Sequence, residues 1–150
     1  MPESNKSKPF SKAFDPMKDT FKKLMEGKDA KFMDLDLFTY NTKVGWVLIE
    51  WLRCDTVPPR ASHPSRYLHK NWRKFWQLYN MARDLNGRLY LVNYNEQGEE
   101  FKLMRVRRSS PKVIETDDEV MSREQFKTWL HKLNDAAEQK DFDKYDVIEI

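Results

Sequence analysis

The stretch Phe32-Met33-Asp34-Leu35-Asp36-Leu37-Phe38-Thr39-Tyr40-Asn41-Thr42-Lys43-Val44-Gly45-Trp46-Val47-Leu48-Ile49-Glu50-Trp51-Leu52-Arg53 holds two strand-like runs, Phe32 to Tyr40 and Trp46 to Arg53, around a turn-like Asn41 to Gly45. In the first run Met33, Leu35 and Leu37 alternate with Asp34, Asp36, Phe38 and Tyr40, the period of a half-buried strand. The second is almost continuously apolar, as a central strand covered on both faces should be, and Glu50 interrupts it. If the runs pair as a hairpin with Tyr40 facing Trp46, partner indices add to a constant, and Asp36 falls directly opposite Glu50. Opposed positions bring Cβ atoms within roughly 4.5–5.5 Å, so two carboxylates on one face can share one hard cation. Burying an ionised carboxylate alone costs on the order of several kcal/mol, so Glu50 is expected to be paired, metal-bound or at the open end of its strand.

Working outward, Asp15-Pro16 reads as a helix start, Met17, Phe21, Leu24 and Met25 recur at helical spacing, and Gly27 stops the run. Residues 1–13 mix Ser, Lys, Pro and Asn without periodicity and read as a flexible arm. Beyond the hairpin, Asp55 to Pro64 carries Val57-Pro58-Pro59 and His63-Pro64 and is expected to be a loop. A helix from about His69 to Leu85 follows, with Trp72, Phe75, Trp76, Tyr79, Met81, Ala82 and Leu85 as its core face and Lys70, Lys74 and Gln77 as a polar row. Asn86-Gly87 ends it, Arg88 to Tyr94 is strand-like, and Asn95-Glu96-Gln97-Gly98 turns into a further strand, Glu100 to Val106. Ser122-Arg123-Glu124-Gln125 has the form of a capping box for a last helix bearing Phe126, Trp129, Leu130 and Leu133, to pack on the sheet or on a partner. This order predicts an α/β fold with a mixed sheet, the long helix crossing between neighbouring strands. One domain is expected over residues 14–134, followed by an acidic tail over 135–150.

With 150 residues, 39% of them hydrophobic, the chain suits one domain, and its nine Phe, six Tyr and five Trp supply bulky core material. Net charge is only +3, but Arg60, Arg66, Lys70, Arg73, Lys74 and Arg83 lie in an acid-free stretch with interleaved aromatics. Such a patch suits a polyanion, and a solvated helix face has the same composition. Cys54 is the only cysteine, so no intramolecular disulfide forms, and a reducing cytoplasmic setting is expected. No run approaches the roughly 20 apolar residues that a membrane span needs, so no membrane partner is expected. Four scattered glycines exclude a phosphate-binding P-loop, and Cys54, His63 and His69 lack the spacing of a zinc finger. His131 reads as a surface or packing residue, and Trp72 with Trp76 as core or as a stacking platform for bases.

The order of elements, with Asp36 on the first hairpin strand and Glu50-Trp51-Leu52 on the second, resembles the PD-(D/E)xK nuclease superfamily over about Pro16 to Val106. The resemblance implies a restriction-endonuclease-like mixed β-sheet flanked by helices. In that family the first strand supplies an Asp, here Asp36 or, with the register moved by two, Asp34, and the second supplies (Asp/Glu)-x-Lys. The implied activity is metal-dependent DNA cleavage. Mg²⁺ or Mn²⁺ would be held by Asp36, Glu50 and a backbone carbonyl near Trp51. Asp34 would serve either as a third ligand or as a solvated edge residue. Arg66, Lys70, Arg73 and Lys74 would contact DNA, and a homodimer would be one way to cut both strands. Leu52, however, stands where the family has its lysine, and Arg53 next to it should point to the opposite face. Some members carry the lysine on the following helix. Lys70 and Lys74 are the candidates here, with Gln77 to orient a water or a phosphate oxygen, and an exposed helix face is the competing reading of all three. Two functions result: an endonuclease, active or reduced to DNA binding, or a non-catalytic interaction module of a phage, mobile-element or defence system, docking through its last helix and acidic tail.

Overall fold

The computed structural model describes residues 16–29 and 31–137. Backbone contacts divide the chain into two compact units, Met1–Met33 and Asp34–Ile150. Asp15, the arm over residues 1–13 and the tail from residue 138 onward lie outside the described residues.

In the first unit, helix α1 spans Pro16–Leu24, and Gly27 ends the following turn at φ +82°. The Phe21 ring meets Phe32 edge-on, with centroids 5.4 Å apart. Phe32 and Met33 are therefore not the start of a strand, as their alternation suggests.

The second unit is a five-stranded mixed sheet in the order β1-β2-β3-β4-β5, with β1 Leu37–Asn41, β2 Gly45–Arg53, β3 Arg88–Tyr94, β4 Glu100–Ser109 and β5 Ile114–Ser122. Strands β2 and β3 run parallel and every other pair antiparallel. Helix α2, Leu68–Asp84, makes the crossover between the parallel strands. Helix α3, Arg123–Ala137, follows β5. The capping box forms as its spacing predicts: Gln125 N–H donates to Ser122 Oγ at 3.2 Å, and Ser122 N–H donates to Gln125 Oε1 at 2.9 Å.

The hairpin pairs Tyr40 with Trp46, in the anticipated register. Asn41 makes the turn by accepting the N–H groups of Lys43 and Val44 at 2.8 and 3.2 Å, and Gly45 closes it at φ +85°, a conformation other residues enter only with strain. β1 is shorter than its alternation suggests, because a side chain ends the ladder. Trp51 N–H, on the β1 side of β2, donates to Asp36 Oδ2 at 2.8 Å in place of a backbone carbonyl.

Strand alternation divides the core into two layers. Leu48, Leu89, Leu91, Met104, Val106 and Ile114 face α2, where Leu68, Phe75, Leu78 and Ala82 are buried. Val47, Ile49, Tyr90, Val92, Leu103 and Met121 face α3, against Phe126 with Trp129, Leu130 and Leu133 packed around it. The core face of α2 differs from expectation: Leu78 is buried, while Trp76, Met81 and Leu85 are exposed. Strand β5 was hidden in the sequence by its acids, since only Ile114 and Met121 along it are buried. Among the described residues no helix is long and apolar enough to cross a membrane.

Candidate active site

Glu50 sits two residues after Leu48 on β2 and so points to the same sheet face, toward α2. It is buried, 4% exposed. Two groups meet its carboxylate. Lys74 Nζ, from the middle of α2, forms an ion pair with Glu50 Oε1. Asp36 N–H, one step beyond the last hairpin pair, donates to Glu50 Oε2 at 3.4 Å. The Asp36 carboxylate is held in turn by Trp51 N–H. Lys74 also donates to Asp34 Oδ1 at 2.8 Å, so its ammonium bridges a strand residue and the segment that leads into the hairpin.

Burial pushes the Glu50 pKa up to about 7, and the nearby charge of Asp36 adds to the rise; the hydrogen bond and charge of Lys74 oppose it without cancelling it. Burial works to lower the Lys74 pKa, but the carboxylates of Asp34 and Glu50 outweigh it and hold the ammonium above its ordinary value. Two carboxylates thus share one ammonium, and the more buried of them keeps a raised affinity for a proton. A divalent cation at Asp36 and Glu50 would supply the charge that Lys74 does not. Mg²⁺ and Mn²⁺ suit a donor set of two carboxylates, since they keep several waters and take the rest of their oxygens from substrate. Among the described residues no cluster of three or more His, Cys, Asp or Glu side chains is arranged to hold a metal, and Asp34 has Lys74 as its nearby charge.

The cluster opens on a cleft of about 510 Å³, lined among others by Leu52, Cys54, Arg66, Tyr67 and Asn71. Of the basic residues anticipated, Lys74 and Arg66 reach this cleft. Lys70 lies exposed outside its wall, and the Arg73 guanidinium covers the Trp72 ring at 5.6 Å. Gln77 is not brought to the site; it lines a separate depression with Trp76, Asn80 and Met81. Arg53, at the end of β2, lines the same cleft and pairs with Asp55 at 2.7 Å.

Asn93 and Lys102 position the cleft's far wall and were not singled out from the sequence. Asn93, fully buried, donates through Nδ2 to the carbonyls of Pro59 at 3.1 Å and Ser62 at 2.8 Å, and Lys102 Nζ donates to the Ser62 carbonyl at 2.9 Å. Together they pin the proline-rich loop to the end of the sheet. The available signal was an amide directly after the apolar run Leu89 to Val92. His63 belongs to the same loop, its ring nitrogens 2.8 Å from Ser65 Oγ and from Thr116 Oγ1, and burial lowers its pKa. Burial likewise pushes the Cys54 thiol up, away from the thiolate a nucleophile needs.

No protein-family model, curated protein or solved structure matches the chain. The chemistry of the cluster therefore rests on its own geometry.

Proposed function

We propose that the chain is a metal-dependent nuclease of restriction-endonuclease-like fold that hydrolyses phosphodiester bonds in DNA. The observation that supports this reading is the buried Glu50–Lys74 ion pair on the wall of a cleft, with Asp36 next to it, its backbone N–H donating to Glu50 and its carboxylate accepting from Trp51 N–H. Lys74 stands in for the lysine that Leu52 replaces, reaching the carboxylate from the helix instead of from the strand.

Each side chain then has a stated task. Asp36 and Glu50 would hold Mg²⁺ or Mn²⁺, which when bound would supply Lewis-acid polarisation of the scissile phosphoryl group. An ammonium has three donors, and Lys74 directs two of them at Glu50 and Asp34. The third is left for a phosphoryl oxygen or for the attacking water, where charge develops. Arg66, on the cleft wall, contacts the DNA backbone. A homodimer would present two such clusters to the two strands.

The interaction-module reading has less support, since the apolar row of α3 that was to dock a partner is packed on the sheet. Supercoiled plasmid incubated with Mg²⁺ or Mn²⁺ separates the two readings. Nicking that disappears in Asp36→Ala, Glu50→Ala and Lys74→Ala supports the nuclease. No nicking by the wild-type protein, or nicking that persists in the variants, removes it.

A further inference from the structure

His69, Arg73, Trp76, Asn80 and Arg83 recur along α2 at steps of four and three residues, so they form one stripe on the helix. Asn80 is half-buried and the other four are exposed, while Phe75, Leu78 and Ala82 bury a different face. Trp76 remains 41% exposed, although an indole carries more apolar surface than any other side chain on the helix except Trp72. Its place is fixed from below: Trp72 packs on the core and meets the Trp76 ring edge-on, with centroids 6.4 Å apart. The Trp76 ring is thus held without being covered.

Beside it lies an open depression of about 550 Å³, with Gln77, Asn80 and Arg83 in its lining. The Gln77 amide has no hydrogen-bond partner among the described residues. Asn80 Nδ2 donates to the Trp76 carbonyl at 3.0 Å, which leaves its amide oxygen as an acceptor. Cations stand at both ends of the depression. The Arg73 guanidinium, 5.6 Å over the Trp72 ring, has no carboxylate partner among the described residues, and neither has Lys70. Arg83 follows Arg73 by ten residues, about 15 Å at the helical rise. Against Lys70, Arg73, Lys74 and Arg83 the helix carries a single acid, Asp84, which lies 3.5 Å from Arg83 Nη2.

An aromatic face, free amides beside it and cations on either side match one ligand chemistry. Bases of a duplex stack on each other and hide their faces, whereas an unpaired base offers its face to an indole and its edge to an amide. The phosphates that flank the base suit the guanidiniums. We propose that the exposed stripe of α2 binds single-stranded nucleic acid, with a base stacked on Trp76 and the backbone held by Arg73 and Arg83. Lys74 precedes Trp76 by two residues, about 200° around the helix, so the stripe shares no residue with the Glu50 cluster. It stands or falls apart from the nuclease reading.

Fluorescence anisotropy of a labelled thymidine oligonucleotide, titrated with the full chain in EDTA so that no metal-dependent cleavage intervenes, tests it. The strand should bind, and Trp76→Ala should weaken it about tenfold, the loss of one stacked base. Trp76→Phe keeps an aromatic face and should recover most of the affinity, which guards against an alanine variant that fails to fold. Trp76→Leu keeps apolar surface without an aromatic face and should bind as weakly as the alanine variant. Arg73→Gln should weaken binding and lower its salt dependence by about one counterion. An abasic strand of the same length should bind wild type and Trp76→Ala equally, and Lys127→Ala, exposed on α3, should bind the thymidine strand as wild type does. No binding, equal affinity in wild type and Trp76→Ala, or tighter binding of a duplex than of the single strand overturns the proposal. Wild-type affinity in Trp76→Leu also overturns it and assigns Trp76 to an apolar protein contact.

Discussion

Lys74 on α2 and Glu50 on β2 form an ion pair on the sheet face that α2 covers, with a Glu50 side chain only 5% exposed. Its energetics follow from an imbalance. Burial raises the Glu50 pKa from 4.5 to about 7 despite the ammonium, so the carboxylate is under-neutralised by the folded protein alone. That imbalance gives the stability of the chain a definite pH dependence.

Below pH 4.5 Glu50 is protonated in both the folded and the unfolded chain and contributes no slope. Between 4.5 and about 7 the unfolded chain releases a proton that the folded one retains, so stability falls as pH rises, and above about 7 the loss is complete. The full difference is about 3 kcal/mol by linkage. Urea unfolding at a series of pH values should show this fall in wild type and its absence in Glu50→Gln; the same slope in both would exclude Glu50 as its source.

Removing the ammonium should be felt most where Glu50 is charged. Lys74→Met should lower stability by about 3 kcal/mol at pH 8, the cost of leaving a buried charge unpaired, and by clearly less at pH 5, where Glu50 is neutral. Unfolding of the variant at both pH values decides this, and a loss that does not change with pH would contradict it.

Asp34 orients Lys74 from the segment before β1. Asp34→Asn should slow plasmid nicking by about tenfold, as a positioning contact does, while Mn²⁺ affinity stays near the wild-type value. If Mn²⁺ affinity instead drops as far as in Asp36→Ala, Asp34 is a ligand and not an anchor.

The hairpin makes a purely structural test available. A Cβ at Gly87 would meet the Trp46 carbonyl oxygen at 2.2 Å, whereas at Gly27 nothing lies within 4 Å and only the positive φ is at stake. Gly87→Ala should cost more than about 3 kcal/mol through forced backbone movement, and Gly27→Ala about 1 kcal/mol or less. Thermal unfolding of both variants measures the difference; equal effects would mean that the β2 and α2 ends do not approach as described.

Much of the sheet could be read before the structure, because the signals were local. The Tyr40 to Trp46 register followed from the turn and Arg88 to Tyr94 from its bounding turns; Asp36 lies one step beyond the last hairpin pair and meets Glu50 through its backbone N–H, while its carboxylate accepts from Trp51 N–H. The reach of Lys74 was one of two lysine candidates, since helical spacing gives a polar row but not its rotation about the axis; Gln77, from the same row, lines a different depression. The same freedom misplaced Trp76 and missed Leu78, both apolar and two positions apart on a helix wide enough to bury either. β5 escaped notice for a different reason. An edge strand needs few apolar residues and is protected from further pairing by charge, and Glu115, Asp117, Asp118 and Glu119 make it read as a loop. Asn93 and Lys102 act on a loop distant in sequence, and no periodic pattern encodes such contacts.

Binding of Mn²⁺, followed by its paramagnetic resonance signal as protein is added, tests the shared carboxylate site most directly. One tightly held ion in wild type, lost in both Asp36→Ala and Glu50→Ala and stronger at pH 8 than at pH 6, is the predicted result, because the ion competes with the Glu50 proton. Mn²⁺ binding that is equal in all three proteins would contradict it.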